Sequence, residues 1–414
     1  MLRFNDAFLI GAATSAHQVE GNNVHSDFWA LEQGPHSPFK EPSGSAVDHY
    51  HRFPQDIALL AEAGLNAYRF SIEWARIEPR PGIFDPKEVD HYRQVLACCH
   101  AHGLTPVVTL HHFSSPKWLI AEGGWESEAT VDRFERYCRY VVTELGSYIP
   151  YICTINEANM GLQIARLMRE YQIGARRQAA GIQVGSNPES ISTAMSTNTF
   201  LAPRTPRGDA IVARCHVRAR EAVKELAPNI QVGLTLSLYD YQVLPGGEEM
   251  ARGLWEEDLL HYLPYMEGDD FLGVQNYTRK VIGPDGVQPL SPHAPVTDMG
   301  YEYYPESLGG VLGFVARHWP KPILVTENGI STRDDGQRVQ FIRRALLSLH
   351  DCLSQGIDIR GYFYWSLLDN FEWHLGYAQH FGLIAVDRTN FERRPKESLY
   401  FLGRVRTHGL DWDP

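Results

Sequence analysis

At 414 residues, with 43% hydrophobic and 21% charged residues, the chain has material for a large core and too little polarity for disorder. A formal net charge of -12 lacks the basic footprint that nucleic acid or an anionic membrane demands, which leaves a neutral small molecule as the expected partner. Six cysteines without C-x-x-C spacing, no apolar run of membrane-spanning length and no signal-like start point to reduced thiols, no metal ribbon and a cytoplasmic protein.

In chain order, short runs rich in β-branched and aromatic residues recur at 8–15, 67–74, 106–112, 151–157, 232–238, 271–278, 322–327 and 361–367. Most are near-continuously apolar and end in polar residues, as parallel strands buried on both faces do. Amphipathic segments at 53–63, 88–102, 129–145, 209–226, 305–317 and 337–353 lie between them, and Gly64 and Gly103 stand where helix stops are expected. Eight strands alternating with helices predict a single (β/α)8 barrel domain over 1–414. The stretch 159–206, polar and Ser/Thr/Asn/Gly-rich toward its end, reads as a long insertion after the fourth strand, over the barrel mouth.

Glu157 ends the fourth of these runs and Glu327 the seventh. In a barrel, strand C-termini share one mouth, so two carboxylates 170 residues apart in the chain would meet there. Paired carboxylates are the usual equipment for cutting a glycosidic bond, one protonating the leaving oxygen while the other attacks the sugar or activates water. His111-His112 has no second His or Cys pair at ligand spacing, and adjacent strand residues point to opposite sides, so no metal is expected. The glycine-rich stretch 307–313 lacks the Lys-Ser/Thr of a phosphate loop and is set aside.

From residue 4 to residue 409 the chain resembles glycoside hydrolase family 1, the β-glucosidase family. The motifs that carry the likeness are Gly11-Ala12-Ala13-Thr14-Ser15-Ala16-His17-Gln18-Val19-Glu20-Gly21, Tyr68-Arg69-Phe70-Ser71-Ile72-Glu73-Trp74, Thr109-Leu110-His111-His112-Phe113, Thr154-Ile155-Asn156-Glu157, Val325-Thr326-Glu327-Asn328-Gly329 and Trp365-Ser366-Leu367-Leu368-Asp369-Asn370-Phe371-Glu372-Trp373. The resemblance implies Glu157 as acid/base and Glu327 as nucleophile, with Arg69 and Tyr277 supporting the latter. It also implies that Gln18, His112, Asn156 and Gln275 hold sugar hydroxyls, that Trp365 is the sugar platform, and that Glu372 and Trp373 bind the hydroxyls farthest from the scissile bond.

Three positions and one segment depart from the family pattern: Phe113 stands where the family often has Trp, Ala158 replaces the Pro after the acid/base, Gln275 a frequent Asn, and the segment after Asn159 differs. The expected activity is retaining hydrolysis of small β-glucosides, with galactosides or fucosides as further substrates and no cofactor. Two alternatives stand beside it. A 6-phospho-β-glycosidase is disfavoured by Glu372, whose charge would repel a sugar phosphate. A sugar-binding barrel without turnover is disfavoured by the intact Glu157, Glu327, Arg69 and Tyr277.

Overall fold

Eight parallel strands form a closed barrel in the computed structural model, which describes residues 2–35, 37–179 and 198–410. In chain order they are β1 (Leu9–Ala13), β2 (Ala67–Ser71), β3 (Thr105–Thr109), β4 (Tyr151–Cys153), β5 (Gln231–Ser237), β6 (Phe271–Gln275), β7 (Ile323–Asn328) and β8 (Ile359–Trp365). Each pairs with its chain neighbours and β1 closes the ring against β8. The expected eight-stranded barrel is therefore observed. Its strands are apolar on both faces because helices cover the outside while side chains such as Leu9, Val107, Cys153, Phe271, Leu324 and Phe363 fill the inside.

The helices follow their sequence signals closely. Ala129–Leu145 matches its predicted limits, and Pro86–Ala101 begins at a proline after the Asp85 cap, whose side chain accepts from the Lys87 amide. Gly64 and Gly103 adopt φ of 98° and 69°, the left-handed geometry that ends a helix without a Cβ penalty.

Two predicted features change. The fourth strand ends at Cys153, not at residue 157, although alternate amides stay in the ladder: Thr154 N–H donates to Gly233 O (3.1 Å), Asn156 to His111 O (2.8 Å) and Ala158 to Thr235 O (3.1 Å). Glu157 itself has φ of 44°, so the chain turns at the residue that leaves the barrel. The segment read as a long insertion begins with a helix, Met160–Ala179; of its remainder, residues 180–197 lie outside the described residues. Two small sheets crown the barrel, one of Asp240–Val243, Arg279–Gly283 and Gly286–Val287, the other of Ile384–Asp387 with Glu392–Pro395.

Candidate active site

Strand register brings the polar residues to one level. β1 pairs Ala13 with both Trp365 of β8 and Arg69 of β2, and β7 pairs Glu327 with Gln275 of β6. Between Val325 and Glu327 the register of β7 slips against β6, a bulge that re-aims the carboxylate. Asn328 fixes the strand beyond it, donating to Asn276 O (2.7 Å) and accepting from Tyr362 Oη (2.9 Å).

Glu327 is held by two donors. Arg69 Nη1 lies 2.6 Å from Oε1 and Tyr277 Oη donates to Oε2 at 2.6 Å. Arg69 is fully buried and also donates to Thr326 O (3.1 Å), Thr109 Oγ1 (3.1 Å) and Asn156 Oδ1 (2.5 Å). Because Asn156 Oδ1 accepts from Arg69 and from Gln275 Nε2 (2.8 Å), its amide orientation is set. Asn156 Nδ2, Gln275 Oε1 and His112 Nδ1 are buried with no hydrogen-bond partner among the described residues. Each such atom costs about 1–3 kcal/mol unless a ligand satisfies it.

The two glutamates differ electrostatically. Burial pushes Glu157 well above the usual carboxylate range, and the charge of Glu327 adds to this. Burial raises Glu327 as well, but Arg69 and the hydrogen bonds from Tyr277 and Arg69 pull it back, so Glu327 gives up its proton first. Burial, then the charge of Glu327, pushes Glu372 up to about 8 against the hydrogen bond from Gln18. His112 is held neutral, its pKa driven well below the ordinary value by burial and the Arg69 charge.

A cavity of about 590 Å³ opens above these groups, lined by Glu157, Glu327, Tyr277, His112, Gln275, Trp365, Glu372 and Trp373 among others. Trp365 lies nearly parallel to His112, ring centroids 5.5 Å apart, and Trp373 likewise flanks His112 at 6.4 Å. Arg69, Asn156 and Gln18 sit behind this lining with no exposed surface. Gln18 is spent on its neighbours: its Nε2 donates to Phe371 O (2.8 Å), Asn370 Oδ1 (3.2 Å) and Glu372 Oε2 (3.3 Å), while its Oε1 accepts from Ser15 Oγ (2.7 Å). The two histidines part as their alternation requires. His111 turns away to Ser115 Oγ (3.0 Å) between Trp125 and Phe200.

Carboxylates of unequal proton affinity, facing one cavity under unsatisfied amides and an indole platform, suit sugar chemistry. A family model described as "Glycosyl hydrolase family 1" matches residues 2–247 and 266–409. The chain belongs to this family. Family 1 relatives at full length include Beta-glucosidase A of Acetivibrio thermocellus, 29% identical over 98% of both chains, and Thermostable beta-glucosidase B of Thermobispora bispora, 30% identical over 99% of this chain and 92% of the relative. Among solved structures, β-glycosidase BGL167 is 45% identical with a TM-score of 0.88, over 99% of each chain. A β-glucosidase from Thermotoga maritima in complex with cyclophellitol is 26% identical with a TM-score of 0.82, again over 99% of each chain.

Within this family 1 site, sequence reasoning missed several lining residues. Met160, Ile164 and Leu167 enter from the helix after Glu157, and Tyr239, Met299, Tyr301 and Phe381 from loops above β5, β6 and β8. A helix-spaced apolar triplet at 160, 164 and 167 was the available signal for the first group; loop side chains carry no such periodicity. Ala158 also does more than relax a proline restraint, since its amide makes a ladder bond that a proline could not donate.

Proposed function

We propose that this family 1 chain hydrolyses β-linked glycosides with retention of configuration, Glu327 acting as nucleophile and Glu157 as acid/base. In the first step Glu327 Oε attacks the anomeric carbon, the glycosidic C–O bond breaks, and Glu157 gives its proton to the departing alcohol. In the second, Glu157 takes a proton from water, the water oxygen attacks the anomeric carbon, and the ester bond to Glu327 breaks. Esterification removes the Glu327 charge that raised the proton affinity of Glu157, so the same residue can then act as base.

The observation that carries this reading is the unequal pair in one cavity: Glu327 bound by Arg69 and Tyr277, Glu157 raised by burial and by Glu327. Gln275 Oε1 and His112 Nδ1, on residues that line the cavity, fit sugar hydroxyls, Trp365 a sugar face, and Glu372 and Trp373 the far hydroxyls, while Asn156 Nδ2 lies unpaired behind the lining. Gln18 serves by orienting Glu372. The substrate class is a small β-glucoside, with galactosides and fucosides differing only in hydroxyls at that far end. All six thiols are free, which fits a reducing compartment such as the cytoplasm, and no described helix is long and apolar enough to cross a membrane.

Proton NMR of the sugar first released from p-nitrophenyl β-glucoside tests the mechanism. The β-anomer is expected from the wild type and no turnover from Glu327→Ala; initial α-glucose would overturn it. One relative, a 6-phospho-beta-galactosidase of Staphylococcus aureus at 27% identity, makes the 6-phosphate of the substrate a necessary second arm. With Glu372 pushed up to about 8, charge repulsion of a phosphate is weaker at neutral pH than the sequence implied. Turnover of the phosphate alone would replace the free glycoside as substrate.

A further inference from the structure

One helix, the one that follows Glu157, gives the cavity an apolar wall: the lining residues it contributes among the described side chains are Met160, Ile164 and Leu167, with the polar Thr199 and Ser237 elsewhere in the lining. Its first residue, Met160, is tied to the turn at Glu157 by a backbone hydrogen bond (Met160 N to Glu157 O, 2.9 Å). Met160, Ile164 and Leu167 are spaced i, i+4, i+7, so they share one face of the helix, and all three line the cavity.

The rotation of that helix is fixed by polar anchors on its flank. Gln163 Nε2 donates to Ser237 O (2.9 Å), and Arg166 Nη2 donates to Asp258 Oδ1 (3.1 Å) and Oδ2 (3.2 Å). Asn159 Nδ2, just before the helix, donates to Ser237 O (2.7 Å) and Asp258 O (3.0 Å). The apolar face is thus held toward the cavity. Leu167 nevertheless remains 50% exposed, a large hydrophobic group at a cavity mouth that a bound molecule would cover. Leu201 extends the wall, and Lys280 Nζ lies 3.8 Å from the centroid of Tyr239, covering one face of that ring.

An acid/base residue protonates the leaving oxygen, so the leaving group lies on the Glu157 side. We propose that this enzyme takes β-glycosides whose leaving group is an alkyl or aryl alcohol, seated on Met160, Ile164 and Leu167, in preference to glycosides whose leaving group is a second sugar. The proposal rests on the reading of Glu157 as acid/base. A second sugar would bring hydroxyls against Met, Ile and Leu and lose their hydration without return, whereas an alkyl chain exchanges water for that surface.

The leaving hydroxyl of cellobiose is more acidic than octanol, so bond reactivity alone favours cellobiose, and a kcat/KM preference for octyl β-glucoside reports the leaving-group site. The wild type is expected to favour octyl glucoside by about tenfold or more. Ile164→Asn and Leu167→Asn are expected to lower that ratio, and to weaken competitive inhibition by octyl 1-thio-β-glucoside, by about tenfold. Leu167→Met, which keeps the apolar surface, retains both. A wild-type preference for cellobiose, or variants that lose both substrates equally, would overturn the proposal. If no β-glycoside is hydrolysed the acid/base reading itself fails, and thioglucoside binding still decides the apolar seat: equal affinity in wild type and Leu167→Asn rejects it.

Discussion

A carboxylate that attacks must be ionised at a pH where its partner still holds a proton, and Tyr277 is one of two groups that make Glu327 the more acidic of the pair. Its hydroxyl donates to Oε2 at 2.6 Å, a bond made to the charged form, so it lowers the proton affinity of Glu327. Tyr277→Phe deletes that donor and leaves the Arg69 contact at 2.6 Å in place. The pKa of Glu327 then rises, and with Glu327 as the proposed nucleophile the acidic limb of the kcat/KM profile should move to higher pH by about one unit, the worth of a hydrogen bond to a charge. The basic limb, which the proposed acid/base role of Glu157 assigns to loss of its proton, should move much less, because Glu327 remains charged there. An acidic limb that stays in place would show that Arg69 alone sets the nucleophile's charge.

Glycines distinguish which elements are pressed together from those that are not. Gly403 lies within the helix Glu397–His408, and a Cβ there would fall 1.7 Å from Ala63 O at the end of His49–Glu62. Gly253 lies within Glu248–Asp258 and a Cβ there would meet nothing within 4 Å. Helix propensity predicts that either Gly→Ala change stabilises by about 1 kcal/mol. Thermal unfolding should show that gain for Gly253→Ala and a fall in Tm for Gly403→Ala, since the backbone it meets cannot move aside cheaply. The same contrast explains what was legible beforehand. The barrel strands could be read because burial on both faces leaves continuous apolar runs, and Glu157, Glu327 and the 365–373 segment could be read because they belong to long motifs. The helix after Glu157 is hidden in the sequence because its apolar face serves a cavity and its continuation is polar, a composition that resembles an insertion. The burial of Gln18 behind Glu372 was hidden for a different reason: a motif gives residue identity and not which side of a side chain is already hydrogen-bonded.

Both ends of the described chain are built into the same closed structure, and this bears on how many units it contains. β1 is not an appendage: it pairs with β8 over five residues, from Leu9 with Gly361 to Ala13 with Trp365, and with β2 on its other edge. Leu410 N donates to Leu2 O (2.8 Å), and Arg406 Nε reaches Gly64 O (2.5 Å), so the last helix is tied to the first turns. Removing any strand would leave two open edges and expose the interior residues that fill the barrel, which is why partial structures of a closed barrel are costly. We therefore expect residues 1–414 to unfold as one unit. Tryptophan fluorescence reports tertiary packing around the nine tryptophans, among them the buried Trp74 and Trp125 that follow β2 and β3, while far-ultraviolet circular dichroism reports helices around the whole ring. At one heating rate their midpoints should coincide, and a glycosidase activity measured after the same heating should be lost over the same interval, because Arg69 on β2, Glu157 in the turn beyond β4 and Glu327 on β7 keep their relative position only in the closed ring. Separated midpoints, with activity following only one of them, would instead divide the chain into a catalytic unit and a second that folds by itself.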